Sequence, residues 1–553
     1  MTGVLRADDK RMTEIELKLQ LDPSAAMAVS RWVRARGGRG ERLRARYFDT
    51  ADQQLAQAGL ALRLRYERGR WVQTLKAALP GPVARFEHEV VVQRGKVDLP
   101  PAVNPALHQA TEAAPLLAKA IARGQPYGLR AQFETDIRRV SVHSRSRRGE
   151  VEISVDTGVI TAPGKAALSV CEVEVELLKG SPLAVTDVAR QVVRGYPCWV
   201  DPATKAERGH RLAAALEPTK ASRGGPVQLD PKSTIRTSLG IVLHECRRHL
   251  LPNLARIASV QGHDPEHVHQ ARVALRRLRT AIRLFEHEPL ERLDGQARTL
   301  ARVLGATREH DVLVESVVPE LANVGAPPIA LAPLPGSADA RGIVREREHQ
   351  YFVLDLIAAE IETARSTQST ADPIGPRMVV KLADWYRQVR RDARRFASLD
   401  DEHRHRLRRR MKRLRYGIEF CRTLCSDKRY RSFLRALSDA QEALGRYNDL
   451  VEALASYRAR VDSDARAWFA VGWLTNEIKV QSRHCETALE ALRSCKAPWR
   501  RRYLPRPAIA SAASASLDGA SGTIGSSPPP VHPSPAGPNH APSDIAPTSN
   551  DLA

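Results

Sequence analysis

Acidic and basic residues alternate along several short segments in the N-terminal part of the chain. The first segment is Glu14-x-Glu-x-Lys18, and Glu172-x-Glu-x-Glu176 repeats the spacing with three carboxylates. Because alternate side chains of a β-strand share one face, each segment would present its charges to the same side. Such a set of carboxylates could hold a hard divalent cation, with Mg²⁺ the first candidate and Mn²⁺ the second.

Basic residues with the same period lie between these two acidic segments. They are Arg44 and Arg46, Arg63 and Arg65, Lys76, and Arg138 and Arg139, and Asp156 adds a further carboxylate. Their positive charges could hold phosphate oxygens beside a metal that polarises a phosphoryl group for attack by water. The alternative is the exposed face of an ordinary antiparallel sheet with cross-strand ion pairs. That alternative fits any single segment, whereas the ordered series favours a phosphate site.

The segments that carry these charges alternate apolar and polar residues over residues 13–216. A period of two over many short runs predicts antiparallel strands. Charges of both signs on one face favour a closed barrel with a polar interior. Helical stretches are predicted at 23–36, 105–123 and 182–195.

The sequence pattern changes after a Gly-, Pro- and Ser-rich linker at 217–232. Over 233–497, apolar residues recur three and four apart within Arg-rich runs, which predicts helices, with a loop at 325–338 between two halves. Residues 505–553 are mainly Pro, Ser and Ala and are predicted to be disordered. The predicted fold class is therefore α+β multidomain: an N-terminal antiparallel β-barrel, a C-terminal all-α pseudosymmetric helical bundle and a disordered tail.

The helical region contains an internal repeat. The pattern that begins at His269 recurs at His405, an offset of 136 residues, and the segment ending at Asp311 recurs at Asp449, an offset of 138. Two similar helical units packed about a pseudo-twofold axis would explain the repeat. We expect the two aspartates to cap or hold a basic side chain rather than to bind metal.

Each repeat carries a stripe of basic residues along one helix face. The stripes are His269, Arg272, Arg276, Arg279 and Arg283, and then His405, Arg408, Lys412 and Arg415. Like charges one turn apart repel each other, and an anion would relieve that repulsion. The stripes are predicted to bind a phosphate polymer, with the histidines either contacting phosphate or serving the structure. The alternative is a solvated basic face whose Arg stems cover apolar surface.

Composition restricts the partner and the compartment. Lys and Arg number 86 against 63 Asp and Glu, a net charge of +23 that favours a polyanionic partner. Nucleic acid is not favoured, because aromatics are only 5% and the basic stripes lack interleaved aromatic side chains. Seven cysteines without a C-x-x-C motif predict reduced thiols in a cytoplasmic protein. The first twelve residues lack the apolar core of a secretory signal, and no run reaches the roughly 18 apolar residues of a membrane span.

Residues 13–216 resemble the CYTH domain, the triphosphate tunnel metalloenzyme fold of class IV adenylyl cyclases, thiamine triphosphatases and bacterial inorganic triphosphatases. The resemblance rests on a series of motifs in one order: Glu14-Ile-Glu-Leu-Lys18, Arg46-Tyr-Phe-Asp-Thr50, Leu62-Arg-Leu-Arg65, Thr74-Leu-Lys76, Glu172-Val-Glu-Val-Glu176 and Thr204-Lys-Ala-Glu-Arg208-Gly209. It implies a triphosphate-cleaving barrel with catalysis centred on Glu14, Glu16 and Lys18.

The resemblance also implies the ligands of that barrel. Glu14, Glu16, Glu174 and Glu176 would bind metal, with the choice among the three glutamates from Glu172 to Glu176 left open. Triphosphate would be bound by Lys18, Arg46, Arg63, Arg65, Lys76, Arg138 or Arg139, and Lys205, with Asp156 lining the tunnel. Whether Arg44 or Arg46 faces inward depends on the strand register. By residue type alone, Lys205 could equally be a surface lysine.

Residues 233–497 resemble the CHAD domain, the conserved histidine α-helical domain, through the two histidine-headed stripes and the Leu304-Gly305 to Asp311 segment. This resemblance implies a pseudosymmetric helical fold that binds inorganic polyphosphate. The predicted function is a metal-dependent inorganic triphosphatase that cleaves tripolyphosphate, tethered to polyphosphate chains or granules. The alternatives are a non-catalytic polyphosphate-binding or granule-targeting protein, and an adenylyl cyclase or thiamine triphosphatase on the same barrel.

Overall fold

The computed structural model describes residues 13–504, apart from a set of short gaps. The gaps are 80, 125–127, 217–218, 260–264, 287–289, 313–316, 330–338 and 366–372, and the side chains of 306–312, 365 and 501 are also outside the described part. The predicted tail at 505–553, most of the predicted loop at 325–338 and the side chain of Asp311 therefore lie outside the described residues. None of the described helices combines the length and the apolar composition needed to cross a membrane.

The N-terminal half is an antiparallel barrel, as predicted. Its strands are β1 (Thr13–Leu21), β2 (Arg39–Asp49), β3 (Leu60–Glu67), β4 (Arg70–Ala78), β5 (Ala84–Arg94), β6 (Arg130–Ser146), β7 (Gly149–Thr161), β8 (Leu168–Gly180) and β9 (Cys198–Val200). They pair in the order β5-β4-β3-β2-β6-β7-β8-β1, and β1 also pairs with β5, which closes eight strands into a barrel. The short strand β9 pairs with the far end of β1.

Period-two alternation gives the barrel two different faces. The outward side chains of β1, β7 and β8, among them Leu19, Ile153 and Val175, are buried against helices. The helices of this half are α1 (Pro23–Arg34), α2 (Gln54–Gln57), α3 (Ala114–Arg123), α4 (Leu183–Gly195) and α5 (Lys205–Ala213). Helices α1 and α4 cover these strands from outside, so the charged residues of the same strands point into the barrel.

Helix α5 packs into one end of the barrel. Its start is fixed by a capping box in which Thr204 and Glu207 bond each other's backbone N–H groups. Gly209 lies so close to the Phe133 ring that an added Cβ would come within 2.1 Å of it, so this close approach requires glycine. The packing of α5 against Leu43 and Ala45 places Lys205, the first residue of the helix, at the interior of the barrel.

The C-terminal half is helical, as predicted. Its helices are α6 (Ile235–Ala258), α7 (Pro265–Phe285), α8 (Glu291–Val312), α9 (Val318–Asn323), α10 (Ala340–Arg345), α11 (Arg347–Arg365), α12 (Ile374–Arg394), α13 (Asp401–Phe420), α14 (Asp427–Arg458) and α15 (Ala467–Ser494). The basic stripes lie on α7 and α13, which pack against each other. Apolar residues of α7 such as Leu275 and Leu278 are fully buried, as their spacing predicted.

The repeat is visible in the packing of two glycines. Arg272 of α7 lies against Gly305 of α8 and donates to its carbonyl oxygen at 2.9 Å, and Arg408 of α13 lies against Gly445 of α14. The arginines are 136 residues apart and the glycines 140. The two glycines therefore align the following helices at an offset of 140 residues. The offset of 138 between Asp311 and Asp449 stays a prediction, because the side chain of Asp311 lies outside the described residues.

The barrel and the helical half share one continuous apolar core. Arg345 of α10 pairs with Asp22 at 2.8 Å and lies over the Trp199 ring at 4.0 Å, and Gln350 accepts from the Val200 backbone N–H at 2.8 Å. The described part of the predicted linker has neither helix nor strand, yet its Leu229 is buried in the same core. All seven cysteines are free thiols, as predicted.

Candidate functional site

A cavity of about 720 Å³ occupies the interior of the barrel. Most of the predicted barrel residues line it: Glu14, Glu16, Lys18, Arg63, Arg65, Lys76, Arg139, Asp156, Glu174, Glu176 and Lys205. These residues come from six strands and α5, and the inward face of each strand supplies alternate positions. The structure therefore brings residues from distant parts of the sequence into one charged chamber.

Two predicted triphosphate ligands lie elsewhere. Arg46 is 43% exposed and pairs with Glu134 at 2.8 Å on the outer face of the barrel, and Arg138 is also exposed. The inward positions of β2 are instead Leu43, Ala45 and Tyr47, because α5 packs against this part of the wall and requires an apolar surface. Of the alternatives left open by the sequence, Arg139 rather than Arg138 faces the cavity, and neither Arg44 nor Arg46 does.

Lys205 joins three carboxylates at one side of the cavity. Its ammonium group lies 2.6 Å from Asp156 and 3.0 Å from Glu174, and it also bonds Glu172. Arg139 holds Asp156 through two hydrogen bonds of 2.7 Å and also bonds Glu174. Burial alone would raise the pKa of Glu174, but Lys18, Lys205 and Arg139 lower it well below its usual value. Glu174 is therefore ionised and neutralised by cations.

The same three carboxylates have ligand atoms within 4.8 Å of one another, a spacing that could suit a metal. Each of them, however, is already bonded to Lys205, and Glu172 is also bonded to Arg208 and to Gln20 at 2.8 Å. A metal here would have to displace several buried cations. The arrangement fits a rigid frame for Lys205 and Arg139 better than it fits a metal centre.

A second acidic group has fewer cations. Glu176 lies opposite Glu16 across the β1–β8 ladder and makes no ion pair with any described residue. Burial, together with the nearby Glu14 and Glu87 carboxylates, raises the pKa of Glu176 to about 7. Such uncompensated negative charge is what a divalent cation would stabilise. Of the four predicted metal ligands, Glu176 alone has no ion pair with a described residue. Glu14 pairs with Lys76, Glu16 pairs with Lys18 and with Arg85, and Glu174 lies among Lys18, Arg139 and Lys205.

Basic side chains form the facing wall of the cavity. Lys76 of β4 pairs with Glu14 at 2.6 Å and with Glu87 at 3.1 Å. Arg63 and Arg65, on the neighbouring strand β3, line the same cavity. Burial disfavours the charge of Arg63, but Tyr47, Glu87 and Glu89 raise its pKa. The wall thus holds its positive charges in place before any ligand arrives.

The sequence prediction missed three contributors to this chamber. Tyr47 is buried and its hydroxyl accepts a hydrogen bond from Arg63 at 3.4 Å. Arg85 lies 3.3 Å from Glu16, and Arg208 bonds Glu172. Arg208 belongs to the Thr204-to-Gly209 motif and Tyr47 follows Arg46 directly, so both motifs were recognised but the roles of these two side chains were not.

A second basic site lies in the helical half, where α7 meets α13. Lys412 is surrounded by Arg272 and Arg276 of α7, Arg408 of its own helix and Asp449 of α14. The pKa of Lys412 is lowered to about 6. Burial and the three guanidinium groups lower it, and the single carboxylate opposes them. We call Arg272, Arg276, Arg408 and Lys412 the helical basic cluster. Its charges are packed together with too few acids to balance them.

Four other predicted members of the two stripes have acidic or amide partners. Arg279 and Arg283 bond Asp294 at 2.9 and 3.1 Å, and Arg415 bonds Glu419 at 2.9 Å. His405 bonds the Asn448 amide at 2.7 Å, next to the cluster, and His269 is half-buried at the equivalent place on α7. The structure thus divides each stripe into a part that faces the other helix, where basic side chains outnumber the nearby acids, and a part with acidic or amide partners.

Comparison with known proteins finds two domain families in order. Residues 12–209 match the CYTH domain and residues 241–458 match the CHAD domain. Among solved structures, the CHAD domain from the plant Ricinus communis is 27% identical, with 51% of this chain and 99% of that chain covered and a TM-score of 0.43.

Two barrel structures match the N-terminal half. A putative adenylate cyclase from Bacillus halodurans is 18% identical, with 35% of this chain and 96% of that chain covered and a TM-score of 0.27. A putative adenylyl cyclase from Hippeastrum, described as having a dominant triphosphatase activity, is 19% identical, with 36% and 95% covered and a TM-score of 0.26.

Proposed function

Since the chain carries a CYTH domain followed by a CHAD domain, we propose that it is a metal-dependent inorganic triphosphatase whose helical half binds inorganic polyphosphate. The observation that carries the proposal is the barrel chamber, in which buried cations surround a cavity that also holds Glu176, a carboxylate without an ion pair to any described residue. Water would attack a terminal phosphorus of tripolyphosphate, the P–O–P bond would break, and pyrophosphate and orthophosphate would leave.

The cations would hold the substrate. Lys18, Lys76, Arg63, Arg65, Arg139 and Lys205 surround the cavity, and phosphate oxygens are their natural partners. In the absence of substrate, carboxylates such as Asp156 and Glu174 hold Lys205 and Arg139 in position. The positive groups therefore need little reorganisation when charge develops on the phosphoryl oxygens.

The metal site proposed here consists of Glu14, Glu16 and Glu176. A divalent cation held there, Mg²⁺ or Mn²⁺, would supply positive charge that polarises the phosphoryl group for attack by water. The residues themselves keep the site anionic and dry: Glu16 is only 6% exposed, and Lys76 anchors Glu14 from the facing wall.

The helical basic cluster is the proposed polyphosphate site. Arg276, Arg408 and Lys412 make no ion pair with a carboxylate among the described residues. Asp449 and Glu452 oppose part of their mutual repulsion, and a bound anion would relieve the rest. A polymer of phosphates supplies many negative charges without bases that need aromatic stacking partners. Binding there would tether the barrel to polyphosphate chains or granules in the cytoplasm.

Phosphate release from tripolyphosphate with Mg²⁺ or Mn²⁺ tests the proposal. We expect turnover by the unaltered protein and its loss in Glu14→Gln/Glu16→Gln. A matched control is Glu134→Gln/Asp136→Asn, which removes two outer-face carboxylates of β6 that pair with Arg46 and Arg42. Polyphosphate binding without turnover in the unaltered protein would instead identify a binding protein on this fold, and turnover of ATP or thiamine triphosphate in preference would identify a different substrate.

A further inference from the structure

The helical half contributes part of the wall of the barrel cavity. Arg247 and Arg248 of α6 line the cavity beside the β4–β5 turn. Arg247 is held by Glu360 of α11 at 2.6 Å and donates to the Gly81 carbonyl oxygen of that turn at 3.3 Å. Its side chain is only 9% exposed. Arg247 therefore fixes α6 against the barrel and has little freedom to bind anything else.

Arg248 is more exposed to solvent than Arg247. Its side chain is 53% exposed, although Nε and Nη2 bond the two oxygens of Glu245 at 2.9 and 3.2 Å. Glu245 is in turn held by the backbone N–H of Gly225. These contacts orient the guanidinium group and leave Nη1 without a hydrogen bond to any described residue. An oriented arginine with open donors at the rim of an anion-binding cavity suits a phosphate.

The two ends of the cavity differ in their number of arginines. Near the β3–β4 turn the lining includes Glu41, Glu67 and Arg68. At the opposite end of β4, beside the β4–β5 turn, it includes Arg85, Arg247 and Arg248, together with Glu14 and Glu16 next to Arg85. The acidic partners of Arg247 and Arg248, Glu360 and Glu245, are not among the lining residues. A polyanion too long for the cavity would therefore meet more guanidinium groups where it passes α6 than at the first end.

We propose that Arg248 binds phosphates of a linear polyphosphate chain that extend beyond the barrel, so that the barrel acts on the ends of chains longer than tripolyphosphate. The inference rests on the proposed triphosphatase function and deepens it by naming the substrate class. The terminal phosphates would occupy the chamber, and the following ones would leave past α6. The helical half would thus determine chain-length preference at the mouth of the barrel, separately from its basic cluster.

Phosphate release from a series of linear polyphosphates, from three phosphates upward, tests the role of Arg248. In Arg248→Gln we expect kcat/KM for the longer chains to fall about fivefold through KM, the loss of one exposed charge-assisted contact. The value for tripolyphosphate should stay unchanged. Arg493→Gln is the matched control, because Arg493 bonds Glu490 at 2.9 Å with the same i,i+3 spacing and does not line the cavity.

Two further outcomes separate the possible failures. Turnover of tripolyphosphate with the same chain-length profile in Arg248→Gln and the unaltered protein would overturn this inference and leave the triphosphatase intact. Absence of turnover on every chain length would overturn both. Loss of long-chain preference in Arg276→Gln/Lys412→Gln, but not in Arg248→Gln, would assign the preference to tethering by the helical basic cluster and would also overturn the inference.

Discussion

Glu16 and Glu176 face each other directly across the β1–β8 ladder, so two carboxylates lie side by side on the wall of the cavity. Like charges at opposed positions of a sheet are destabilising, and here burial adds to the cost. The pair therefore lowers the stability of the folded protein, as is common at a functional site, and a bound cation would offset that cost.

Replacing Glu176 by Gln should raise stability without metal by about 1 kcal/mol, because one of the opposed charges is removed. The same change should reduce the rise in Tm that Mg²⁺ or Mn²⁺ produces, since a ligand that binds the folded state stabilises it. Thermal unfolding with and without metal measures both effects. Glu134→Gln, on the outer face of β6, is the control, and an undiminished metal effect in Glu176→Gln would contradict the proposed ligand set.

Arg63 and Arg46 form a matched test of the strand register. Arg63 is 14% exposed and lines the cavity, whereas Arg46 lies on the outer face with Glu134. Arg63→Gln should lower kcat/KM for tripolyphosphate by about 100-fold, the loss of one well-placed charged contact, and Arg46→Gln should leave it unchanged. Steady-state kinetics of the two variants with tripolyphosphate measures the difference. Equal losses in the two variants would mean that the predicted role of Arg46 was right after all.

Lys205 should be essential to the stability of the barrel as well as to substrate binding. Lys205→Met would leave Asp156 and Glu172, both fully buried, without a shared partner, and the expected loss is about 3 kcal/mol of unfolding free energy. Denaturant unfolding measures the loss. Lys165→Met, at an exposed position, is the control. A change of less than about 1 kcal/mol in Lys205→Met would show that the carboxylates do not depend on it.

Polyphosphate affinity should depend on the helical basic cluster. Arg276→Gln/Arg408→Gln should weaken binding at least tenfold and should reduce the slope of log K against log salt by about 1.4, roughly 0.7 for each lost phosphate contact on a single-stranded polyanion. Tripolyphosphate turnover should be unaffected. Binding titrations at several salt concentrations measure the slope, with Arg298→Gln, an exposed partner of Asp294, as the control. An unchanged slope would place the polymer elsewhere.

Polyphosphate binding should take up a proton at Lys412. In the free protein, burial and the surrounding Arg272, Arg276 and Arg408 hold the pKa of Lys412 near 6 against the single nearby Asp449. Bound phosphates would favour the ammonium form and raise the pKa, so affinity should fall as pH rises above about 6.

Titration calorimetry at pH 8 in buffers of different ionisation enthalpy would measure that uptake. At this pH the neighbouring His405, whose own pKa is lowered by burial and by Arg409 and Arg408, contributes little. Lys412→Arg keeps the charge and should bind without the linked proton. Equal proton uptake in the variant and in the unaltered protein would exclude Lys412 as its source.

The alternation of charges was sufficient to predict the barrel and most of its lining, because a period of two determines which residues share a face. It could not say which of the two faces is inside. On β3 the charged positions Arg63 and Arg65 point inward, but on β2 the charged position Arg46 points outward. The difference arises from α5, a helix far along the chain, which packs on Leu43 and Ala45 and makes that part of the interior apolar.

The helical repeat likewise predicted the two stripes but not their division. Whether an arginine is compensated depends on neighbours that helical spacing alone does not reveal. Arg279 and Arg283 are neutralised by Asp294, which lies on the next helix, whereas Arg276 one turn earlier is not. Gly305 and Gly445 align the second helix of each unit at an offset of 140 residues, two more than the offset between the aspartates.

The core shared by the two halves has a thermodynamic consequence. Because Trp199 and Val200 of the barrel half are secured by Arg345 and Gln350 of the helical half, neither half can melt without exposing apolar surface of the other. Heat should therefore denature residues 13–504 in a single cooperative transition rather than two. A chain cut within 217–232 would leave two fragments that each expose part of that core, and we expect both to aggregate when produced alone.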